Sequence, residues 1–269
     1  MEKLSRIVVK VGTSTLSHTT GKLNLQRIED LTRVLSDLKN SGMEIVLVTS
    51  GAVGAGIARL GLDRRPQSTA EKQALAAVGQ GELMKIYERF FAHYGQTVAQ
   101  LLLTKDVVDN TERRESAART FKILFELSCL PIVNENDPVS SAQLENENGD
   151  KISFGDNDTL SAYVAELCDA DMLINLSDSE GFFTADPRKD ATATLIKRVE
   201  RVTPELLCCA GGAGSAGGTG GMKSKLEAAI IASRAGIPMF LAHGENPEIL
   251  YDILNGKARG TYFAAEDKK

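Results

Sequence analysis

Short runs of β-branched and aliphatic residues alternate along this chain with longer segments whose apolar residues recur at helical spacing. Ile7 to Gly12, Ile45 to Thr49, Thr97 to Leu103, Leu130 to Asn134, Met172 to Leu176 and Pro238 to Ala242 read as strands. Between them, Leu25, Ile28, Leu31, Leu35 and Leu38 mark a helix with Asn24 as N-cap and Gly42 beyond its end. Further helices are expected over Ala70 to Phe91, interrupted at Gly79 and Gly81, and over Arg113 to Leu127, Asp158 to Cys168 and Lys223 to Ala235. Strand runs apolar throughout are those of a sheet buried on both faces, and repeated βα units make that sheet mostly parallel. The expectation is an α/β protein: a three-layer αβα sandwich in one domain over residues 1–269.

Open sheets of this kind place their chemistry beyond the carboxyl ends of the strands. The polar and glycine-rich clusters fall there: Lys10-Val11-Gly12-Thr13-Ser14, Thr49-Ser50-Gly51-Ala52, Asn134-Glu135-Asn136-Asp137 and Ser177-Asp178. Lys10 stands inside an apolar strand, where an unpaired ammonium is expensive to desolvate. It is either a ligand for phosphate or an edge-strand lysine facing water. The small residues from Ser50 to Gly56 read as a turn, open either to close substrate approach or to plain helix–sheet packing.

The glycine-rich stretch 211–221 leads into Met222-Lys223-Ser224-Lys225 and a helix start. Backbone N–H groups turned to one point, a helix N-terminus and a lysine in the first turn together suit a nucleotide phosphate. A flexible linker would show the same glycines, but linkers rarely abut a lysine and a helix start. Gly212-x-Gly214-x-x-Gly217 mimics a dinucleotide fingerprint, yet follows a helical segment instead of a strand, and no Walker A spacing occurs. Asn134 to Asp137 and Gly155-Asp156-Asn157-Asp158 offer amide donors and carboxylate acceptors, the first of them suited to a substrate ammonium group; both also fit turn and N-cap chemistry, with Asp158 as a cap.

Composition narrows the chemistry. A net charge of -5, from 31 basic and 36 acidic residues, gives no basis for nucleic acid as the main partner. Glu2, Lys3, Arg6 and Lys10 interrupt any signal-peptide core, and the longest uncharged stretch is glycine-rich, so no membrane segment and a cytoplasmic location are expected. Cys129, Cys168, Cys208 and Cys209 follow no metal-ligand spacing and read as buried thiols, and histidine is confined to His18, His93 and His243. Electrostatics and positioning are left as the catalytic resource, and phosphoryl transfer needs little else.

Val9 to Ser14, Val48 to Ala52, Asn134 to Asp137, Gly155 to Asp158, Phe183-Thr184-Ala185-Asp186-Pro187 and Thr219-Gly220-Gly221-Met222 occur in an order that resembles the amino acid kinase family, over about Val8 to Thr261. The combination of Asn134–Asp137 with Gly155–Asp158 is the specific part. The resemblance implies that ATP phosphorylates the side-chain carboxylate of L-glutamate, the first step of proline synthesis. By the same resemblance Ser50, Gly51, Asn134, Asp137 and Asn157 bind glutamate, with Asp137 suited to its ammonium. Lys10 and Lys225 flank the transferring phosphoryl group and Asp158 orients both. ATP, carrying Mg²⁺ on its phosphates, is held by Lys10, Ser177, Asp178, Thr219, Gly220, Gly221, Met222, Lys223, Ser224 and Lys225, and no protein residue is assigned to a metal.

The N-terminal part is thus expected to bind the acceptor and the C-terminal part ATP. Ser224 stands where relatives commonly have Thr, and the acidic loop from Pro138 to Phe154, longer than in some relatives, is expected to be exposed. The resemblance further implies a homo-oligomer, dimer or tetramer; the C-terminal PUA domain of many relatives is not expected here. It implies feedback inhibition by proline and hand-off of the product to glutamyl phosphate reductase. Two other readings remain open: a family member with a different acceptor, and a non-catalytic amino-acid sensor on the same fold.

Overall fold

The computed structural model describes residues 4–140, 154, 156–209 and 221–266. In chain order its elements are β1 (Arg6–Val11), α1 (Thr13–Leu16), α2 (Leu25–Asn40), β2 (Glu44–Val48), α3 (Ala52–Leu60), α4 (Thr69–His93), β3 (Val98–Leu103), α5 (Asp106–Asp109), α6 (Thr111–Glu126), β4 (Leu130–Glu135), α7 (Asn157–Leu167), β5 (Met172–Ser177), β6 (Arg198–Val199), α8 (Pro204–Cys209), α9 (Met222–Arg234), β7 (Met239–His243), α10 (Ile249–Leu254) and β8 (Thr261–Phe263). The strands form one eight-stranded sheet in the order β3-β4-β2-β1-β5-β7-β8-β6. All pairings are parallel except β7 with β8.

Helices cover both faces, as the apolar strand runs require. Side-chain alternation along β1 sends Ile7, Val9 and Val11 into a core shared with Leu31 and Leu35 of α2 and with Leu83, Tyr87 and Phe91 of α4. Val8 joins the opposite core, built with Leu160 and Val164 of α7 and Leu226 and Ala229 of α9. Lys10 shares the face of Val8. It is buried in a central strand between β2 and β5, so the reading of an edge lysine in water does not hold. Asn175 of β5 is the register partner of Lys10, and Leu173 places that face of β5 in the same core.

Three sequence expectations need correction. The segment after Ser50 is not merely a turn: Gly51, at φ 101°, reverses the chain into α3, where the left-handed region favours glycine. The second helix is not broken at Gly79 and Gly81 but runs unbroken from Thr69 to His93. A Cβ at Gly79 would lie 1.7 Å from the Ala52 carbonyl oxygen, so this glycine lets α4 pack backbone to backbone on α3. Third, the cap of α7 is Asp156, whose carboxylate accepts from Thr159 N at 2.9 Å, and Asp158 sits inside the first turn. Asn24 caps α2 as expected, accepting from Arg27 N.

Cys168 is buried, which pushes its thiol up to about 12, whereas Cys129 is only half-buried, unlike the expectation. Most of the acidic loop 138–154, and Gly212, Gly214 and Gly217, lie outside the described residues, as do the side chains of Cys208 and Cys209.

Candidate active site

Three elements deliver charged side chains, and a fourth an amide, to one buried point beyond the centre of the sheet. Asp158, in the first turn of α7, receives Lys10 Nζ of β1 on Oδ1 and Lys225 Nζ of α9 on Oδ2, the latter at 3.1 Å. Asn175 of β5 donates through Nδ2 to Oδ1 at 2.8 Å, and Ser224 donates through Oγ to Oδ2 at 3.0 Å. Asp158 is 1% exposed, Lys10 6% and Lys225 7%. Burial alone would push the Asp158 carboxyl up, but the two ammonium charges and the hydrogen bonds from Lys10 and Asn175 outweigh it and hold the group well below the usual carboxylate range. The cluster carries two cations against one anion, a surplus of one positive charge.

That surplus stands at the start of α9. Gly221 caps this helix without a side-chain bond, and its first turn holds no acidic residue. The N-terminal N–H groups and the helix dipole therefore favour an anion beside Lys225. Gly12 borders the cluster, and a Cβ there would lie in ordinary contact with Lys10 Nζ, at 3.6 Å. Ser177 ends β5, donating to Asp178 Oδ1 at 3.1 Å, with Asp178 exposed. Met222 opens α9, whereas Lys223 is exposed and pairs with Glu227 at 3.8 Å, outside the cluster. Thr219 and Gly220 lie outside the described residues.

A second cluster lies at the ends of β2 and β4. Asn157 Nδ2 donates to Thr49 O at 2.7 Å, Ser50 Oγ at 2.9 Å and Asn134 Oδ1 at 2.9 Å. Asn134 Oδ1 also accepts from Glu135 N at 3.0 Å, and Asn134 Nδ2 donates to Gln80 Oε1 of α4 at 2.8 Å. Ser50, Asn134 and Asn157 are thereby brought together, with Gly51 next to Ser50 at the start of α3. Asp137 follows β4 on the segment that Ser140 ties back by donating to Glu135 Oε1. Burial, and then the charge of Glu135, push the Asp137 carboxyl up to about 6, against a smaller opposing effect of Lys72. A carboxylate so placed is short of a cation, and an ammonium group would supply one.

Sequence reasoning missed Asn175, Gln80 and the Thr49–Tyr87 pair, whose hydroxyls are 2.7 Å apart. The available signal was one polar residue in an otherwise apolar frame: Asn175 between Met172 and Leu176, and Gln80 on the helical face continued by Leu83, Tyr87 and Phe91. Among the described residues no group of three or more His, Cys, Asp or Glu converges in a way that could hold a metal ion, and no helix is long and apolar enough to cross a membrane.

Residues 5–243 match the amino acid kinase family. The chain is 53% identical over 261 residues to glutamate 5-kinase of Clostridium perfringens (strain 13 / Type A), covering 97% of this chain and 96% of that protein. It is 49% identical over 265 residues to glutamate 5-kinase of Clostridium tetani (strain Massachusetts / E88), covering 98% and 96%. Among solved structures, the isopentenyl phosphate kinase of T. acidophilum, in a product complex, superimposes with a TM-score of 0.64 at 15% identity, over 96% of this chain and 100% of that one. The UMP kinase of Bacillus anthracis gives a TM-score of 0.64 at 15% identity, over 99% and 98%.

Proposed function

The chain belongs to the amino acid kinase family, and from that premise we propose that it transfers the terminal phosphoryl group of ATP to the side-chain carboxylate of L-glutamate, giving L-glutamyl 5-phosphate for proline biosynthesis. The observation that carries the proposal is the pair of buried lysines on Asp158, set beside an amide cluster and a carboxylate short of a cation.

The chemistry needs no base. A glutamate carboxylate is already ionised near neutral pH, so its oxygen attacks phosphorus directly while the bond to the ADP oxygen breaks. Negative charge then spreads over the transferring group, and fixed cations around it lower the barrier more than they stabilise the ground state. Lys10 and Lys225 fill that role from opposite sides, with Asp158 holding each ammonium in place and α9 adding its N–H groups. Ser50, Asn134 and Asn157 orient glutamate, and Asp137 takes its ammonium.

Asp158 has both oxygens committed to lysines, Asn175 and Ser224, so it suits orientation better than metal ligation. Mg²⁺ fits as a passenger on the ATP phosphates and water, where it supplies charge neutralisation. A cytoplasmic location and a homo-oligomeric state belong to the same proposal, as does proline inhibition at the glutamate site. Proline that left glutamate affinity unchanged would rule out that overlap.

The test is ATP turnover by the purified protein with Mg²⁺ and L-glutamate, with hydroxylamine present to trap acyl phosphate as hydroxamate. Aspartate, N-acetylglutamate and carbamate run in parallel. Hydroxamate and ADP that appear with glutamate are the expected result. Turnover confined to another acceptor would overturn the substrate, and tight ATP binding without any turnover would overturn the enzyme.

A further inference from the structure

One face of α4 reaches the acceptor cluster at three points spaced seven residues apart. Gln73 Nε2 donates to Ser140 O at 2.7 Å, Gln80 Oε1 accepts from Asn134 Nδ2 at 2.8 Å, and Tyr87 shares a hydrogen bond with Thr49 at 2.7 Å. Seven residues are close to two helical turns, so the three groups form one stripe. The backbone contact at Gly79 fixes the height of this stripe against α3, whose start carries Ser50 and Gly51.

Gln80 is the unusual member. It is 7% exposed, and its Nε2 is buried with no hydrogen-bond partner among the described residues. Buried amides rarely leave one end unmade, and an apolar side chain of the same shape would avoid the cost. The other end has a definite task. Asn134 Oδ1 already accepts from Glu135 N and from Asn157 Nδ2, and an inverted Asn134 amide would set its NH₂ against both donors. Gln80 Oε1, by accepting from Asn134 Nδ2, fixes the orientation that avoids this.

The consequence passes to Asn157. Its Nδ2 has two hydrogens and three acceptors around it, so the only hydrogen-bonding group Asn157 has left for a ligand is Oδ1. With the Asp137 carboxylate on the segment that follows β4, Asn157 and Asp137 offer a ligand acceptors and, between them, no spare side-chain donor. Such a lining takes a primary ammonium, which offers three hydrogens, and disfavours an acylated nitrogen, which is neutral and offers one.

We propose that Gln80 is a positioning residue that fixes the Asn134 and Asn157 amides and thereby selects acceptors with a free ammonium over N-acylated ones. The inference rests on glutamate being the acceptor. It does not make Gln80 a catalytic residue, because the side chain acts through Asn134.

Gln80→Met keeps the shape and removes both polar ends, and Gln80→Glu keeps an acceptor oxygen at the same reach. Steady-state kinetics on both, with N-acetylglutamate as a competing ligand, read the effect. In Gln80→Met the KM for glutamate should rise about tenfold, the loss of one ordered hydrogen bond, with kcat and the KM for ATP within about threefold of the parent. N-acetylglutamate should gain on glutamate by a similar factor, and Gln80→Glu should restore most of the lost affinity. A glutamate KM unchanged in Gln80→Met would overturn the inference, as would equal losses for glutamate and ATP, or a Gln80→Glu no better than Gln80→Met. Should Gln80→Met fail to fold, Gln80→Asn draws the acceptor back by one methylene; a raised glutamate KM there supports the inference and an unchanged one overturns it. A parent enzyme inactive with glutamate would overturn the proposed reaction, whereas an active parent with a silent Gln80→Met overturns only the role of Gln80.

Discussion

Asn157 and Asp158 are consecutive residues in the first turn of α7, and they face opposite halves of the site. Neighbouring side chains on a helix diverge by about 100°, so one turn can serve two pockets. Asn157 ties together the ends of β2 and β4 through Thr49, Ser50 and Asn134, while Asp158 gathers Lys10 from β1 and Lys225 from α9. The cap at Asp156 fixes where the turn begins, and with it both directions. On the proposed reaction, acceptor and phosphoryl donor are aligned by the start of a single helix.

Asp158→Asn should injure both fold and chemistry. It removes the anion that holds two buried ammonium groups, and breaking such a pair from one side costs about 3–5 kcal/mol. The lysines would also lose their fixed positions, at a rate cost of roughly 10²-fold or more. Denaturant melts and kcat on the same preparation check this; a variant with parental stability and turnover would contradict the arrangement.

Loss of either lysine should separate rate from acceptor affinity. Lys10→Ala or Lys225→Ala leaves Asp158 paired with the remaining lysine and leaves the Asn157 cluster intact. Turnover should fall on the order of 10²–10³-fold while glutamate still binds by calorimetry. Near-normal turnover in either variant would remove that lysine from the reaction.

Asp137 predicts a pH dependence of glutamate affinity. Its carboxyl is pushed up to about 6 from an ordinary value of 3.8, chiefly by burial, and only the ionised form can pair with an ammonium. Glutamate affinity should therefore weaken as pH falls through about 6, and Asp137→Asn should bind weakly at every pH without that break. The sign for stability is opposite. The folded state holds this proton more tightly than the unfolded chain, so the group destabilises the fold as pH rises from about 3.8 through 6. Asp137→Asn should accordingly gain more stability at pH 7.5 than at pH 4, measured without glutamate.

The central strands were legible because apolar runs buried on both faces leave few alternatives, and the site clusters followed from the strand ends. The α3–α4 pair was not. Glycine costs a helix about 1 kcal/mol relative to alanine, which is why Ser50 to Gly56 read as a turn and Gly79 and Gly81 as interruptions of the helix over Ala70 to Phe91. The tertiary contact reverses that argument: a Cβ at Gly56 would lie 2.0 Å from Leu75 O, and one at Gly79 1.7 Å from Ala52 O. Two helices this close need glycine, and nothing local in either segment reveals the other. Gln80 and Asn175 were missed for a related reason, since each has its partner far along the chain, at Asn134 and Asp158.

Asn175 yields the last prediction, because its two ends stand in opposite circumstances. Nδ2 donates to Asp158 Oδ1 at 2.8 Å, whereas Oδ1 is buried with no partner among the described residues. Asn175→Leu removes a hydrogen bond to a charged group and an unsatisfied carbonyl together. These effects oppose each other at about 1–3 kcal/mol each, so the net change in stability should be within about 1 kcal/mol. The Asp158 carboxylate, however, loses its one neutral amide donor and is left to the lysines and Ser224. When phosphate draws the lysines away, that donor is what keeps Oδ1 oriented, so kcat should fall about tenfold while the KM for glutamate stays put. A variant that loses stability and both kinetic constants alike would mark Asn175 as a packing residue instead.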